Sequence, residues 1–302
     1  MEILQKKDKP KILVILGPTS SGKSDLAVLL AKKNNGEVVS ADSRQIYKGL
    51  DIGSGKITKK EMRGVPHHLL DVESPRNISQ YGGQFSVEKF RLLAEKAIDD
   101  ILSRGKLPII CGGTGFYIQA IVDGIVLPDV PANLELRTKL RKIAEKNPES
   151  LFKMLQKLDS KRAENIDPKN IVRVIRAIEI AKTLGKVPAI KINPKYEATQ
   201  IGILLDDEIL KNRINKRITK RFKIGMIEEI SNLHKKGISW KALESLGLEY
   251  RYISQFLQKK IDRKQMIELL QNETWHYAKR QMTWFKKDTR IKWMKSEEIK
   301  TI

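Results

Sequence analysis

Residues 12–24 read ILVILGPTSSGKS, and no other stretch restricts the possible folds of this chain so strongly. Ile12 to Leu16 are apolar without a break, as in a strand buried on both faces. Gly17 to Ser24 then satisfy G-x-x-x-x-G-K-[ST], and Leu26, Leu29 and Leu30 begin a helical spacing. Strand, glycine-rich turn and helix start are the setting of a phosphate-cradling P-loop. In such a loop consecutive backbone N–H groups and the positive end of the helix converge on one anion. The candidate phosphate ligands are therefore Gly17, Pro18, Thr19, Ser20, Ser21, Gly22, Lys23 and Ser24. Lys23 supplies a mobile charge, and the Ser24 hydroxyl can hold Mg²⁺. The motif predicts a bound di- or triphosphate without saying which.

The P-loop implies an α/β fold, a parallel sheet flanked by helices. EVVSADSRQIY (37–47) reads as a second strand running into a polar turn, LPIIC (107–111) as a third and IGILL (201–205) as a fourth. The spacing of Phe90, Leu93, Ala97 and Ile101 predicts a helix over 86–103, which Gly105 follows. Over roughly 129–195 the pattern becomes helical throughout, with Leu136, Leu140 and Ile143, then Leu151, Leu155 and Leu158. Asp167-Pro168 reads as a cap and first turn for a helix that reaches Leu184 and is stopped by Gly185. The expected architecture is a P-loop NTPase-like core, residues 10–128 and 196–302 with a helical C-terminal part, interrupted by an all-helical insertion domain at 129–195.

Length and composition narrow the function classes. A chain of 302 residues can bury a proper core, and 40% apolar with 31% charged residues describes a globular protein. No apolar run approaches the ~20 residues that span a bilayer, and MEILQKKDKPK lacks the apolar segment of a signal peptide. The single cysteine, Cys111, excludes an intramolecular disulfide and suits a reducing cytoplasm. A cytoplasmic protein without a membrane partner is expected, and nothing in the sequence demands more than a monomer. The net charge of +22 is concentrated: residues 201–302 hold 23 Lys and Arg against 13 Asp and Glu. There KNRINKRITKRFK (211–223) and AKRQMTWFKKDTRIKW (278–293) interleave bases with aromatics, a mixture that pairs with phosphates and stacks on unpaired RNA bases.

Other residues are informative by position. Asp42 follows the second strand at its carboxyl end, where open α/β sheets place their ligands. It is either a general base or Mg²⁺ partner, or the first residue of an Asx-turn. Asp51 to Lys56 resemble a second phosphate loop but read as a turn, and His67-His68 have no companion at metal-ligand spacing. Thr114, in the turn Gly112 to Gly115 after the third strand, faces the same crevice. Arg173 and Arg176 share a helix face, as do Arg213, Arg217 and Lys220.

Taken together, these segments resemble the tRNA dimethylallyltransferases (tRNA isopentenyltransferases). The matching pieces are GPTSSGKS (17–24), SADSRQIYKGLDIGSGK (40–56), VPHHLLDV (65–72), GGTGFYIQA (112–120), DPKNIVRVIRAIEI (167–180), RINKR with Gly225 (213–225), LGLEYR (246–251) and AKRQMTWFK (278–286). The resemblance implies transfer of a dimethylallyl group from dimethylallyl diphosphate to N6 of the adenosine 3′ of the anticodon, in tRNAs reading codons that begin with U. It implies that the P-loop holds the donor's diphosphate rather than ATP, with Mg²⁺ on Ser24, Thr19 at the leaving oxygen and Arg217 gripping the diphosphate. It makes Asp42 the base and assigns contacts with the tRNA anticodon stem-loop to Asp42, Ser43, Arg44, Gln45, Thr114, Val172, Arg173, Val174, Ile175, Arg176 and Gly247. Four positions depart from the pattern: Ser54-Gly55 replace a usual Thr-Ala, Ile57 a Pro, and Arg221 a Met.

Overall fold

The computed structural model describes residues 9–79, 82–83, 85–295 and 298; the charged segment before Lys9 lies outside them. The chain divides into two compact units. The larger comprises residues up to Gly124 and those from Pro194 onward; the smaller is Ile125–Asn193.

The larger unit is built on a six-stranded parallel sheet in the order Ile291–Lys295, Glu197–Leu204, Lys11–Leu16, Leu107–Gly112, Gly36–Ala41, His67–His68. The first strand is central, with Leu13 beside Ile109 on one side and Thr199 on the other. Its side chains alternate between two apolar layers, as the two-residue period of a strand requires. Ile12, Val14 and Leu16 face one layer, and Ile15 faces the other. This explains the unbroken apolar run: neither face meets water. The helix Lys23–Lys33 covers the Ile15 face with Leu26, Ala27, Leu30 and Ala31. The opposite face is covered by Phe90, Ala94, Ile98 and Ile101 of the helix Val87–Ser103 and by Tyr117, Ile118 and Ile121 of the helix Gly115–Val122.

Two elements differ from the sequence-based expectation. The sequence of 278–293 suggests a basic surface that stacks on RNA bases, but its end enters the edge strand Ile291–Lys295. Trp293 instead packs over Gly202, where a Cβ would meet its ring at 2.6 Å, and Phe285 is buried. Of the aromatics in 278–293, Trp284 keeps the exposed surface, at 38%. His67-His68 form the other edge strand, and His68 Nε2 lies 2.7 Å from Glu37 Oε2.

Glu37, 2% exposed, also accepts from Arg104 Nη2 (2.8 Å) and Lys106 Nζ (2.7 Å). The Arg104 hydrogen bonds, followed by those of Lys106 and His68, hold its carboxyl far below the ordinary value near 4.5. A carboxyl depressed on folding stabilises the fold above its unfolded pKa and loses that contribution as pH falls toward the folded one. Glu37→Gln is therefore expected to cost about 3 kcal/mol at pH 7, the scale of a broken buried pair. The deficit should shrink steadily below about pH 4.5, as urea unfolding at pH 7 and pH 3 would register.

The smaller unit packs Leu140, Leu151, Leu155, Val174 and Ile178 from the helices Leu134–Lys146, Pro148–Leu158 and Ile171–Leu184. It begins at Ile125 and ends at Asn193 rather than at 129 and 195. The cause is an antiparallel ribbon: Ile125-Val126 pair with Lys191-Ile192, so the unit is not wholly helical. The cap of its last helix also moves. Asn170, not Asp167, accepts from the Arg173 amide, while Asp167 Oδ1 serves the preceding turn through Lys169 N. Gly185 ends that helix at φ 82°, as its position suggested.

Candidate active site

The carboxyl ends of the central strands open into a cavity of about 700 Å³, lined entirely by the larger unit. The P-loop forms its floor. Gly17 (φ 152°) and Gly22 (φ 96°) turn the chain from strand into helix, and Ser20 is held at φ 63° between them. Thr19, Ser20, Lys23 and Ser24 border the cavity, whereas Gly17, Pro18 and Ser21 are buried. Lys23 Nζ donates to the Pro18 carbonyl at 3.2 Å. Burial pulls its ammonium below the ordinary value, and the Arg217 and Arg221 charges act the same way. A desolvated cation among other cations is a strong attractor for an anion.

One helix supplies the opposite wall. Arg213, Arg217 and Arg221 recur every four residues along Asp207–Lys223 and so share a stripe. Arg213 Nη1 donates to Ser21 O at 3.2 Å, and Arg217 Nη1 to Thr19 Oγ1 at 3.2 Å. The half-buried Arg217 is pulled down to about 10, by burial first and the Arg221 charge second. Lys220, grouped with them by spacing, does not border the cavity.

The turn after the second strand forms a third side. Asp42 Oδ1 accepts from Arg44 N (2.8 Å) and Gln45 N (3.3 Å). The Asx-turn is therefore real, and it does not compete with a chemical role. It fixes one carboxylate oxygen and leaves Oδ2 without a hydrogen bond among the described residues. Ser43, Arg44 and Gln45 line the cavity beside it, as does Gly247 (φ 149°), where a Cβ would lie 3.4 Å from Arg44 Nε. Thr114 stands behind this wall. Its Oγ1 accepts from Ser43 N at 3.1 Å and its N–H donates to Ala41 O at 3.2 Å, so it holds the Asp42 turn in place.

Val172 to Arg176 belong to the smaller unit. Val172 and Arg173 are exposed, Arg176 pairs with Glu179, and Val174 and Ile175 are core residues. The last two can position that helix face but present no side chain to a ligand.

Two residues of the site were not singled out by sequence: Gln281, within the AKRQMTWFK segment but given no role, and Glu229, which lies in no motif. Gln281, 7% exposed on the helix Arg263–Phe285, accepts from Thr19 N at 2.8 Å and donates to Gly113 O at 2.8 Å. One amide thus ties the P-loop crest to the turn after the third strand. Gln281→Met would orphan both backbone groups and is expected to cost about 2 kcal/mol in urea unfolding. Glu229 gathers Asp51 N (3.0 Å), Ile52 N (2.6 Å) and Gly53 N (3.0 Å) onto one carboxylate, fixing the 51–56 loop as a wall rather than a second phosphate loop.

Among the described residues no group of three His, Cys, Asp or Glu could hold a metal ion. Cys111 lies under the P-loop helix with its thiol pushed up to about 11 by burial, so it remains protonated and inert at neutral pH. No helix of the described residues is long and apolar enough to cross a membrane.

Comparison with known proteins adds a consistent set of relatives. The model of the IPP transferase family matches residues 45–288. The tRNA dimethylallyltransferase of Acetivibrio thermocellus is 41% identical over 295 residues, 95% of this chain and 92% of that protein. The crystal structure of the full-length tRNA isopentenylpyrophosphate transferase from Bacillus halodurans superposes with a TM-score of 0.71 at 35% identity, covering 97% of this chain and 94% of that one. A eukaryotic dimethylallyltransferase acting on tRNA gives a TM-score of 0.80 at 27% identity, covering 95% and 74%.

Proposed function

This chain belongs to the IPP transferase family, and from that premise we propose that it transfers a dimethylallyl group from dimethylallyl diphosphate to tRNA, at N6 of the adenosine 3′ of the anticodon. The observation that carries this reading is the convergence of the P-loop, Arg217 and the free Oδ2 of Asp42 on one cavity. That arrangement sets an anion cradle against a base, as an alkyl transfer from a diphosphate to an amine requires.

N6 attacks the allylic C1 as the bond from C1 to the diphosphate oxygen breaks. Negative charge grows on that oxygen, where Thr19 Oγ1, Arg217, Lys23 and the P-loop amides can meet it; such preorganised donors are the largest expected catalytic term. An exocyclic amine is a weak nucleophile and becomes acidic only as it is alkylated, so Asp42 Oδ2 takes the N6 proton and passes it to water. Ser43, Arg44 and Gln45 would hold the flipped-out adenosine, and an anticodon-loop base is cheap to unstack. Exposed Ser24 Oγ, a single hard oxygen facing the cavity, suits Mg²⁺, which takes most of its ligands from phosphate and water. Bound there, the ion would neutralise charge on the departing diphosphate.

The helical unit, with Arg173 exposed, is the further surface for the tRNA stem-loop. Extensive phosphate contact predicts that tRNA affinity falls by about 10³-fold or more between 50 and 200 mM salt, measured by filter binding. A flat response would remove the basic surface from the interface.

The deciding experiment is mass spectrometry of tRNA nucleosides after incubation with protein, Mg²⁺ and dimethylallyl diphosphate. N6-(dimethylallyl)adenosine is the expected product. An unmodified tRNA alongside ADP release from ATP with a small acceptor would mean a kinase instead.

A further inference from the structure

Arg221 stands one helical turn beyond Arg217 and is 7% exposed. Its Nη1 donates to Glu249 Oε1 at 3.0 Å and Gly53 O at 3.4 Å, while its Nη2 carries no hydrogen bond among the described residues. That free edge points over Gly55. A Cβ built on Gly55 would lie 1.5 Å from Arg221 Nη2 and 2.3 Å from Arg217 Nη2. The two guanidiniums therefore crowd into the volume that a side chain at 55 would fill. Gly55 is needed twice over, since it also sits at φ 61°.

This crowding is electrostatically unfavourable without a ligand. Lys23, Arg217 and Arg221 lie together in a recessed site, and Glu249 is the carboxylate that contacts Arg221. Like charges withdrawn from water repel strongly, and the Arg221 charge adds to burial in lowering the Arg217 pKa. An anion placed between the two forks would relieve the repulsion and complete the hydrogen bonding of both, and a planar guanidinium matches phosphate oxygens in pairs.

We infer that Arg221 is a second diphosphate-gripping arginine of this cavity, acting beside Arg217 on the phosphate farther from the reacting carbon. The inference rests on the diphosphate-donor reading proposed above. It also links two departures seen in the sequence: in the pose it holds here, the Arg at 221 occupies the space that a methyl group at 55 would take.

Inorganic pyrophosphate with Mg²⁺ is the probe, titrated calorimetrically into the wild-type protein, Arg221→Met, Arg221→Lys, Gly55→Ala and the double variant. Arg221→Met should weaken pyrophosphate binding at least about tenfold, and Arg221→Lys should fall between, while tRNA affinity is unchanged. Gly55→Ala should lower the Tm, and adding Arg221→Met should recover part of that loss, since φ 61° and Arg217 still oppose a side chain there, but not the pyrophosphate affinity. Wild-type affinity in folded Arg221→Met or Arg221→Lys would overturn the inference and leave Arg221 as the partner of Glu249. A wild-type protein that binds no pyrophosphate would overturn the diphosphate reading instead, so the two failures are distinct.

Discussion

Replacing Asp42 with asparagine is expected to lower kcat by about 10²–10⁴-fold, the range associated with a lost general base. The substitution keeps the shape, and its carboxamide oxygen can still accept from the Arg44 and Gln45 amides that hold Oδ1. The turn, and with it Ser43, Arg44 and Gln45, should therefore stay in place. The loss should appear in kcat with little change in tRNA affinity, the signature of a contact that matters mainly in the transition state. Single-turnover prenylation of a saturating anticodon stem-loop would separate the two. Near wild-type turnover would move the base role away from Asp42.

Arg217→Gln should lower kcat/KM for dimethylallyl diphosphate by about 10³-fold, close to 4 kcal/mol of transition-state stabilisation. Arg217 donates to Thr19 Oγ1 and, through Nη2, to Gly55 O at 3.3 Å, so it anchors both the cradle and its facing wall. Arg217→Lys should recover little, because an ammonium cannot reproduce the two-pronged contact. With its pKa held near 10, Arg217 stays cationic through neutral pH, and the alkaline limb of kcat/KM should begin above about pH 9. Steady-state rates from pH 7 to pH 10 at fixed tRNA test this. An unchanged alkaline limb in Arg217→Gln would assign that limb to another group.

The parts of the structure that could be read from sequence were those with local causes. The central strand is apolar without interruption because both of its faces are covered, and Gly17 and Gly22 mark the turn because only glycine adopts those angles cheaply. Asp42 was visible because the strand before it fixes which end of the sheet it occupies. Gln281, in contrast, lies in a segment that the resemblance marks, AKRQMTWFK, yet its role could not be read there, because it comes from two backbone groups far away in the chain. The edge strand Ile291–Lys295 was hidden by its lysines, which suit both a solvated strand edge and an RNA surface. Trp293 was open to the same ambiguity, and Gly202 resolves it by leaving room for the ring. The crowding of Arg217 and Arg221 over Gly55 joins two segments more than 160 residues apart, beyond the reach of any periodicity.

The tie between Thr19 and Gln281 spans 262 residues. During synthesis the P-loop sequence leaves the ribosome well before the amide that fixes its crest. Long-range contacts of this kind form late in folding. The growing chain should therefore carry a slack cradle until the helix Arg263–Phe285 has emerged, and gain its grip on anions only then. On the tRNA-substrate reading proposed above, that delay would keep a nascent chain from engaging the tRNA that crowds every translating ribosome.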